Sequence, residues 1–299
     1  MNDINRAKEN FLFLNDIHKS YSNKDNHNIV LNDIDLSVKK GEFCTVVGPS
    51  GCGKSTLLRL ILGQEKATSG SIFLDKKEIG IPCKKRGIVY QNYSLFPNKT
   101  VFENVMSSFY FKHGFISRLM NKEAHKKAIE EAMYYIEKVK LLGSEHKYPD
   151  ELSGGMQQRA AIAQSLISKP EILLMDEPFS ALDPGTREDL QFFTKEIWEE
   201  NKMTIFFVSH DLEESIFLGT RLIVLSQYYT DTSKDNIEAE DQGSLIVSDY
   251  DVSHLNNKTS SEFGQTIEKI RLEGLNPEMR QRIQDFNLKH KDSFTDNLA

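Results

Sequence analysis

Apolar residues change their spacing several times along the chain, and each spacing predicts a different element. Ile34, Leu36 and Val38 alternate with polar residues, the period-two pattern of a strand with one face buried. Phe43–Val47 is a short unbroken apolar run ending at Gly48, the pattern of a strand buried on both faces in a parallel sheet. Leu57–Leu62 reads as a buried helix with Gly63 as its C-cap. Ile72–Leu74 and Ile88–Tyr90 read as further strands. Between Lys122 and Leu142, Ala128, Ile129, Ala132, Met133, Ile136 and Val139 fall on one face of an amphipathic helix, with Gly143 just past its end. Ile172–Met175, Thr204–Val208 and Arg221–Leu225 are short, apolar and β-branched, and a helical segment around Glu188–Glu200 separates the first two. Strands alternating with helices imply an α/β fold with a parallel sheet, carrying a helical insertion over about residues 92–160. The polar, acidic stretch Thr230–Gln242 predicts a loop, and Ser244–Val247 a strand that makes a long-looped hairpin with Arg221–Leu225. Asn276 followed by Pro277 predicts the cap of a helix whose face carries Met279, Ile283 and Phe286.

Composition narrows the class without naming the activity. The chain has 299 residues, 39% hydrophobic and 27% charged, enough to bury a real core and to fill about two units, or one domain with additions. Lys+Arg is 37 and Asp+Glu is 44, a net charge of −7, which argues against a dedicated nucleic-acid binder but leaves room for a local basic pocket. No apolar run approaches the ~20 residues that cross a bilayer, and the first fifteen residues lack the regions of a signal peptide, so the expectation is a cytosolic protein. Cys44, Cys52 and Cys83 show no zinc spacing, and an odd, sparse set fits reduced thiols.

Two segments carry chemistry. Gly48-Pro49-Ser50-Gly51-Cys52-Gly53-Lys54-Ser55-Thr56 follows the apolar strand, opens the helix and fits the pattern G-x-x-x-x-G-K-[ST]. Its glycines let backbone N–H groups turn inward where side chains would obstruct a phosphate. Those donors, with the helix N-terminus, stabilise negative charge. Lys54 supplies a mobile cation for the β- and γ-phosphates of a nucleotide, and Ser55 a hydroxyl for Mg²⁺. Cys52 reads as a plain loop residue. The second segment is the strand Ile172–Met175, which ends in Asp176 and Glu177. Alone, an Asp-Glu pair is a solvated strand end. Ligands of a parallel sheet lie beyond the carboxyl ends of its strands, so the cradle and these acids are expected to meet at one edge. Asp176 is then expected in the Mg²⁺ shell, through water, and Glu177 as the general base on an attacking water.

Leu152-Ser153-Gly154-Gly155-Met156-Gln157-Gln158-Arg159 resembles the signature segment of ABC transporter ATP-binding subunits; the commonest form has Gln where Met156 stands. The resemblance spans roughly residues 10–250. It implies an α/β P-loop NTPase core with a parallel sheet, an antiparallel β edge and an inserted α-helical subdomain. Gln91 resembles the glutamine that senses Mg²⁺ and water. Ser180-Ala181-Leu182-Asp183 resembles the loop that crosses the dimer interface, and His210 the histidine that holds the γ-phosphate. Tyr21 falls where the family places an aromatic on adenine. The implied mechanism is a head-to-tail homodimer in the ATP-bound state, with Ser153, Gly154 and Gly155 of one copy capping the ATP held by Lys54 of the other.

Thr100–Val105 resembles importer ATPases. Glu213–Ser215 with Leu218–Arg221 is most similar to the nitrate/sulfonate/taurine group, and Gln227–Tyr229 with Phe286–Leu288 faintly resembles members linked to urea metabolism. The resemblance therefore implies transmembrane permease subunits as separate chains, a solute-binding protein as an indirect partner, and a place on the cytoplasmic face of the cell membrane. Phe96 and Phe109 are candidates for the groove that meets the permease, or for the core. The domains are read as 1–250, the ATP-binding domain, and 251–299, a C-terminal extension that is either a folded cap or a regulatory element. Competing functions are a soluble ABC ATPase in DNA repair or translation and the ATPase of a two-part exporter. Only ~60 residues separate Gln91 from Leu152, too few for the paired coil of a repair ATPase, and a single cradle disfavours the translation class.

Overall fold

The computed structural model describes residues 10–23, 26–92, 94–120, 122–230, 242–255 and 257–293. They fall into two units, residues 1–82 with 204–299 and residues 83–203. The first unit opens with β1 (Leu12–Asn23) and β2 (Asn26–Val38), which run antiparallel. The alternation read from Ile34, Leu36 and Val38 sets them opposite Ile17, Leu14 and Leu12, and all six are buried. Cross-strand apolar pairs of this kind fix the register. The ladder slips around Asp16 and Asp33, whose φ values of 50° and 48° mark local bulges. Next come β3 (Phe43–Val47), buried at every position, and α1 (Lys54–Leu62). Gly63 ends α1 at φ 79°, where its N–H and that of Gln64 satisfy the carbonyls of Leu60 and Arg59. β4 (Ser69–Leu74) and β5 (Lys77–Glu78) complete an antiparallel sheet of order β2-β1-β4-β5.

The second unit carries the helical insertion. It contains β6 (Arg86–Val89), α2 (Val101–Met120), α3 (Lys122–Lys138), a 3₁₀ turn at Pro149–Glu151, α4 (Gly154–Leu166), β7 (Ile172–Asp176) and α5 (Pro184–Asn201). β6 and β7 pair in parallel. On α3, Ala128, Ala132 and Ile136 are buried as the periodicity predicts, but the helix stops at Lys138 rather than near Leu142. Lys140 takes the left-handed turn at φ 56°, and the Leu141 N–H returns to the Ile136 carbonyl at 2.9 Å, closing the helix before Gly143 is reached.

The first unit then resumes with β8 (Thr204–Val208), α6 (Leu212–Leu218), β9 (Arg221–Ser226), β10 (Tyr229–Thr230), β11 (Leu245–Asp251), α7 (Ser261–Ile270), β12 (Gln281–Arg282) and β13 (Asn287–Leu288). Within this unit the strands lie in the order β13-β11-β9-β3-β8. β3 is parallel to both β8 and β9, and β11 closes antiparallel on β9. The hairpin expected from Ser244–Val247 is therefore present, with β11 longer than the apolar run. Apart from its end residues, the loop expected over Thr230–Gln242 lies outside the described residues.

No helix begins at Asn276. α7 runs into a π turn at Arg271–Leu275, and Asn276 ends that turn. Its side-chain oxygen accepts the Glu278 N–H at 3.0 Å, a local turn that competes with helix initiation, and Phe286 packs edge-on against Tyr229 at 6.1 Å. Residues beyond 250 share the core. Val252, Leu255, Phe263, Ile267 and Ile270 pack with Val47, Val224 and Val247. Burying a side chain of this size contributes about 1.5–3 kcal/mol.

Arg221 is the largest fully buried side chain of the chain's described part. It donates to both Asp249 oxygens at 2.8 and 2.6 Å and to the Ser37 carbonyl at 2.6 Å, tying β9 to β11 and β2.

Candidate functional site

In the first unit, β3 delivers the chain to the glycine-rich loop. A Cβ on Gly48 would lie 2.0 Å from the Leu225 carbonyl oxygen of β9, so only glycine passes there. Gly51 and Gly53 sit at φ 82° and 91°, and Gly53 is the N-cap of α1. No side chain caps this terminus and no acidic residue lies in its first turn, which suits an anion. Lys54 is buried, and its ammonium donates to the carbonyls of Gly48 at 2.8 Å and Pro49 at 2.9 Å. The cation is thus held on the loop rather than in solvent. Ser50, Ser55 and Thr56 follow the same loop, with Thr56 buried. Cys52 is also buried, and burial pushes its thiol up, so it stays protonated and inert.

His210 is exposed, on the turn between β8 and α6. Asp211 caps α6 by accepting the Glu214 N–H at 3.2 Å, and the Ser209 hydroxyl donates to the Glu214 carboxylate at 2.6 Å. These bonds fix the backbone on both sides of His210. The Asp-x-x-Glu spacing of Asp211 and Glu214 was a readable signal for that turn. Tyr21, on β1, is 39% exposed; its hydroxyl donates to Glu65 at 2.5 Å and the Lys19 ammonium lies 4.7 Å from its ring centre. Glu42, His290 and Asp292 also cluster in this unit, but the Arg221 guanidinium, 3.6 Å from Glu42, already supplies the cation there.

In the second unit, Asp176 ends β7 and Glu177 follows it with φ 45°, a left-handed conformation unusual for a side-chain-bearing residue. The Ser180 N–H and hydroxyl both donate to the Glu177 carbonyl, at 3.3 and 3.0 Å. Gln91, just past β6, donates its amide N–H to the Ser180 hydroxyl oxygen at 3.1 Å. The structure therefore brings Gln91 and the Glu177 backbone together through Ser180, which the sequence placed only in the loop resembling one that crosses a dimer interface. Asp183 accepts the Thr186 N–H at 3.0 Å and caps α5; that bond holds its carboxyl below the usual range.

Ser153 caps α4, its hydroxyl oxygen accepting the Met156 N–H at 3.3 Å, so Gly154 and Gly155 form the first turn of a helix. Gln157 donates to the carbonyls of Pro149 at 2.8 Å and Leu152 at 3.3 Å, holding the approach to that turn. A Cβ on Gly155 would lie 2.5 Å from the Thr186 methyl, so glycine is needed where α4 and α5 begin side by side. Asn104 on α2 is fully buried and bonds to the backbone of Phe96, Lys99 and Thr100, which fixes the segment after Gln91; Phe96 itself is 37% exposed.

Residues 31–180 match the ABC transporter family. The chain is 38% identical over 257 residues to the aliphatic sulfonates import ATP-binding protein SsuB of Bacillus thuringiensis subsp. konkukian, covering 86% of this chain and 93% of that protein. It is 39% identical over 216 residues to the nitrate import ATP-binding protein NrtD of Synechococcus elongatus, covering 72% and 76%. Among solved structures, a dimeric, post-hydrolysis ATP-binding cassette bound to ADP and Pi matches with a TM-score of 0.66 at 28% identity, over 81% of this chain and 98% of that one. With its glycine-lined helix start, its Ser-Gly-Gly cap and these relatives, the chain belongs to the ABC transporter family, as one of its ATP-binding ATPase subunits.

Proposed function

We propose that this ATPase energises import of a small solute (nitrate, a sulfonate, taurine or a urea-related compound) through permease subunits that are separate chains. The observation that carries the reading is the N-terminus of α1, with no side-chain cap and no acid in its first turn, behind left-handed Gly51 and Gly53, with Lys54 held on the loop. That arrangement suits the phosphates of ATP. The relatives named as sulfonate and nitrate importers favour import over export, repair or translation. No helix of the described residues is long and apolar enough to cross a membrane; the relatives named as import ATP-binding proteins support separate permease chains and a peripheral place on the cytoplasmic face. Exposed Phe96 is the contact residue proposed for the permease, and a solute-binding protein is an indirect partner.

The roles of Lys54, Ser55, Asp176 and Glu177 follow from their chemistry, and those of Tyr21, Gln91, His210 and Ser153–Gly155 from the family resemblance. Lys54 exchanges its bonds to the Gly48 and Pro49 carbonyls for bonds to the β- and γ-phosphates. Tyr21 stacks on adenine. Glu177 accepts the proton of the water that attacks the γ-phosphorus, as the bond to the ADP oxygen breaks. His210 holds a γ-phosphate oxygen. When bound, Mg²⁺ would neutralise phosphate charge; Ser55, Asp176 and Gln91 offer it the oxygen donors it prefers. Ser153, Gly154 and Gly155 of one copy present a hydroxyl and helix-start amides to the nucleotide held by the other copy. ATP thus joins two copies, and its hydrolysis lets them part, a two-state switch for a permease.

The test is the Glu177→Gln protein. It is expected to bind ATP, to hydrolyse it at a small fraction of the wild-type rate, and to shift from monomer to dimer in light scattering when Mg²⁺-ATP is added. Wild-type turnover would remove Glu177 as base. A variant that stays monomeric with Mg²⁺-ATP and the permease present would overturn the sandwich.

A further inference from the structure

The hydrogen bonds around Ser180 determine which end of the Gln91 amide faces away from it. A serine hydroxyl carries one proton. Here that proton goes to the Glu177 carbonyl at 3.0 Å. Toward Gln91 the hydroxyl oxygen can then only accept, and the amide NH₂ of Gln91 donates to it at 3.1 Å. The two ends of a glutamine amide have nearly the same shape, so only hydrogen-bond partners choose between them. With the NH₂ end committed to Ser180, the carbonyl oxygen is the end left for another ligand. A hard divalent cation binds that oxygen and is repelled by the NH₂ end.

The geometry points to Ser180 as a positioning residue that orients the Gln91 amide, oxygen outward, for a divalent cation and registers it to the backbone of Glu177. The Ser180 N–H adds a second bond to the same Glu177 carbonyl at 3.3 Å, so the relay ends on the peptide that holds φ 45°. Support of this kind acts on ligand orientation, as hydrogen bonds behind metal ligands do elsewhere. The inference rests on the reading of Gln91 as a metal ligand given above.

The test compares Ser180→Ala, Ser180→Thr and Gln91→Ala in the full chain. Mn²⁺ affinity in the presence of a non-hydrolysable ATP analogue is read by electron paramagnetic resonance, with no turnover required. Mg²⁺ dependence of hydrolysis and the KM for ATP at saturating Mg²⁺ are read alongside. Ser180→Ala is expected to weaken Mn²⁺ by about 3- to 10-fold, the loss of one orienting hydrogen bond, and to raise the half-saturating Mg²⁺ in proportion. The KM for ATP should stay unchanged, and Ser180→Thr, which keeps the hydroxyl, should restore both metal readings. Wild-type Mn²⁺ affinity in Ser180→Ala, or a Ser180→Thr protein as weak as Ser180→Ala, overturns the relay. Should Ser180→Ala fail to fold, Ser180→Cys, a weak donor and acceptor of similar size, is expected to fall between wild type and that loss, and wild-type affinity there also overturns it. If Gln91→Ala weakens Mn²⁺ while Ser180→Ala does not, the relay alone fails. If Gln91→Ala binds Mn²⁺ as wild type does, the reading of Gln91 fails with it.

Discussion

Glu177 is placed to make activity and stability oppose each other. Its φ of 45° lies in the left-handed region, where a residue with a Cβ pays about 1–2 kcal/mol. Glycine escapes that strain but returns about 0.4–1 kcal/mol of extra freedom to the unfolded chain. At an ordinary position the second term wins, and Ala→Gly destabilises. At position 177 the first should win, so the Glu177→Gly protein is expected to be more stable than Glu177→Ala by about 0.5–1 kcal/mol. For a chain of this size that is a rise in Tm of about 1–4 °C. The alanine protein is the right reference, because it also lacks the carboxylate and keeps the Cβ. Glu177→Gln should unfold near the wild type. None of the three should hydrolyse ATP at more than a small fraction of the wild-type rate. The assay is thermal and urea unfolding of the nucleotide-free proteins, followed by circular dichroism. A Glu177→Gly protein less stable than Glu177→Ala would show that this backbone stores no strain, and the reasoning would fail.

Two further outcomes are expected. Lys54→Ala removes charge-assisted bonds to phosphate worth about 1.5–3 kcal/mol, so nucleotide affinity should fall by about 10- to 100-fold in a fluorescent-nucleotide titration; unchanged affinity would rule out the cradle. His290 is buried, and its Nδ1 accepts the Asp292 N–H at 3.3 Å, which leaves no place for a proton there. Burial first, and then the Arg221 charge, hold its pKa below the usual histidine value, against the opposing pull of Asp249, Asp292 and Asp251. The folded state therefore favours neutral His290. Its contribution is complete above the ordinary histidine range and is lost as pH falls below it. The wild-type Tm should drop more steeply between about pH 7.5 and pH 5.5 than that of His290→Asn, whose amide oxygen keeps the acceptor; parallel curves would remove His290 as the cause.

What sequence reveals here is what local chemistry decides. Phe43–Val47 reads as a doubly buried strand because nothing polar interrupts it, and the glycine loop reads as a phosphate cradle because backbone approach demands those glycines. What it conceals depends on distant partners. Arg221 stands at the head of an apolar run, and nothing near it announces that Asp249, 28 residues on, will neutralise it inside the core. Gly143 looks like the cap of α3, but Lys140 takes the left-handed turn and the Leu141 N–H bonds the Ile136 carbonyl first. Asn276 looks like a helix start because its residue type serves caps and Asx turns alike, and only the observed Glu278 N–H distinguishes them. Glu177 was legible as an acid at a strand end, but its φ was not, since glutamate has no preference for that region.

The residues after 250 belong to this picture through the strand behind the phosphate loop. Gly48 backs directly onto the Leu225 carbonyl, so the position of β9 sets the position of the loop. β9 is in turn packed: Val224 lies in one apolar cluster with Phe263, Ile267 and Ile270 of α7 and with Val47 at the end of β3. Gly274 comes so near that a Cβ on it would sit 2.4 Å from the Val224 side chain. β13 adds a strand along β11, covering an edge that would otherwise stand open, and Ser293 and Asp292 fasten it to Asp249, Lys39 and Ser37. A segment that shares the core of the strand supporting the cradle acts as part of the cradle's foundation. Its contribution to nucleotide binding is then one of rigidity: interiors packed at crystal-like density transmit displacement rather than absorb it, so a loosened α7 would be felt at Gly48.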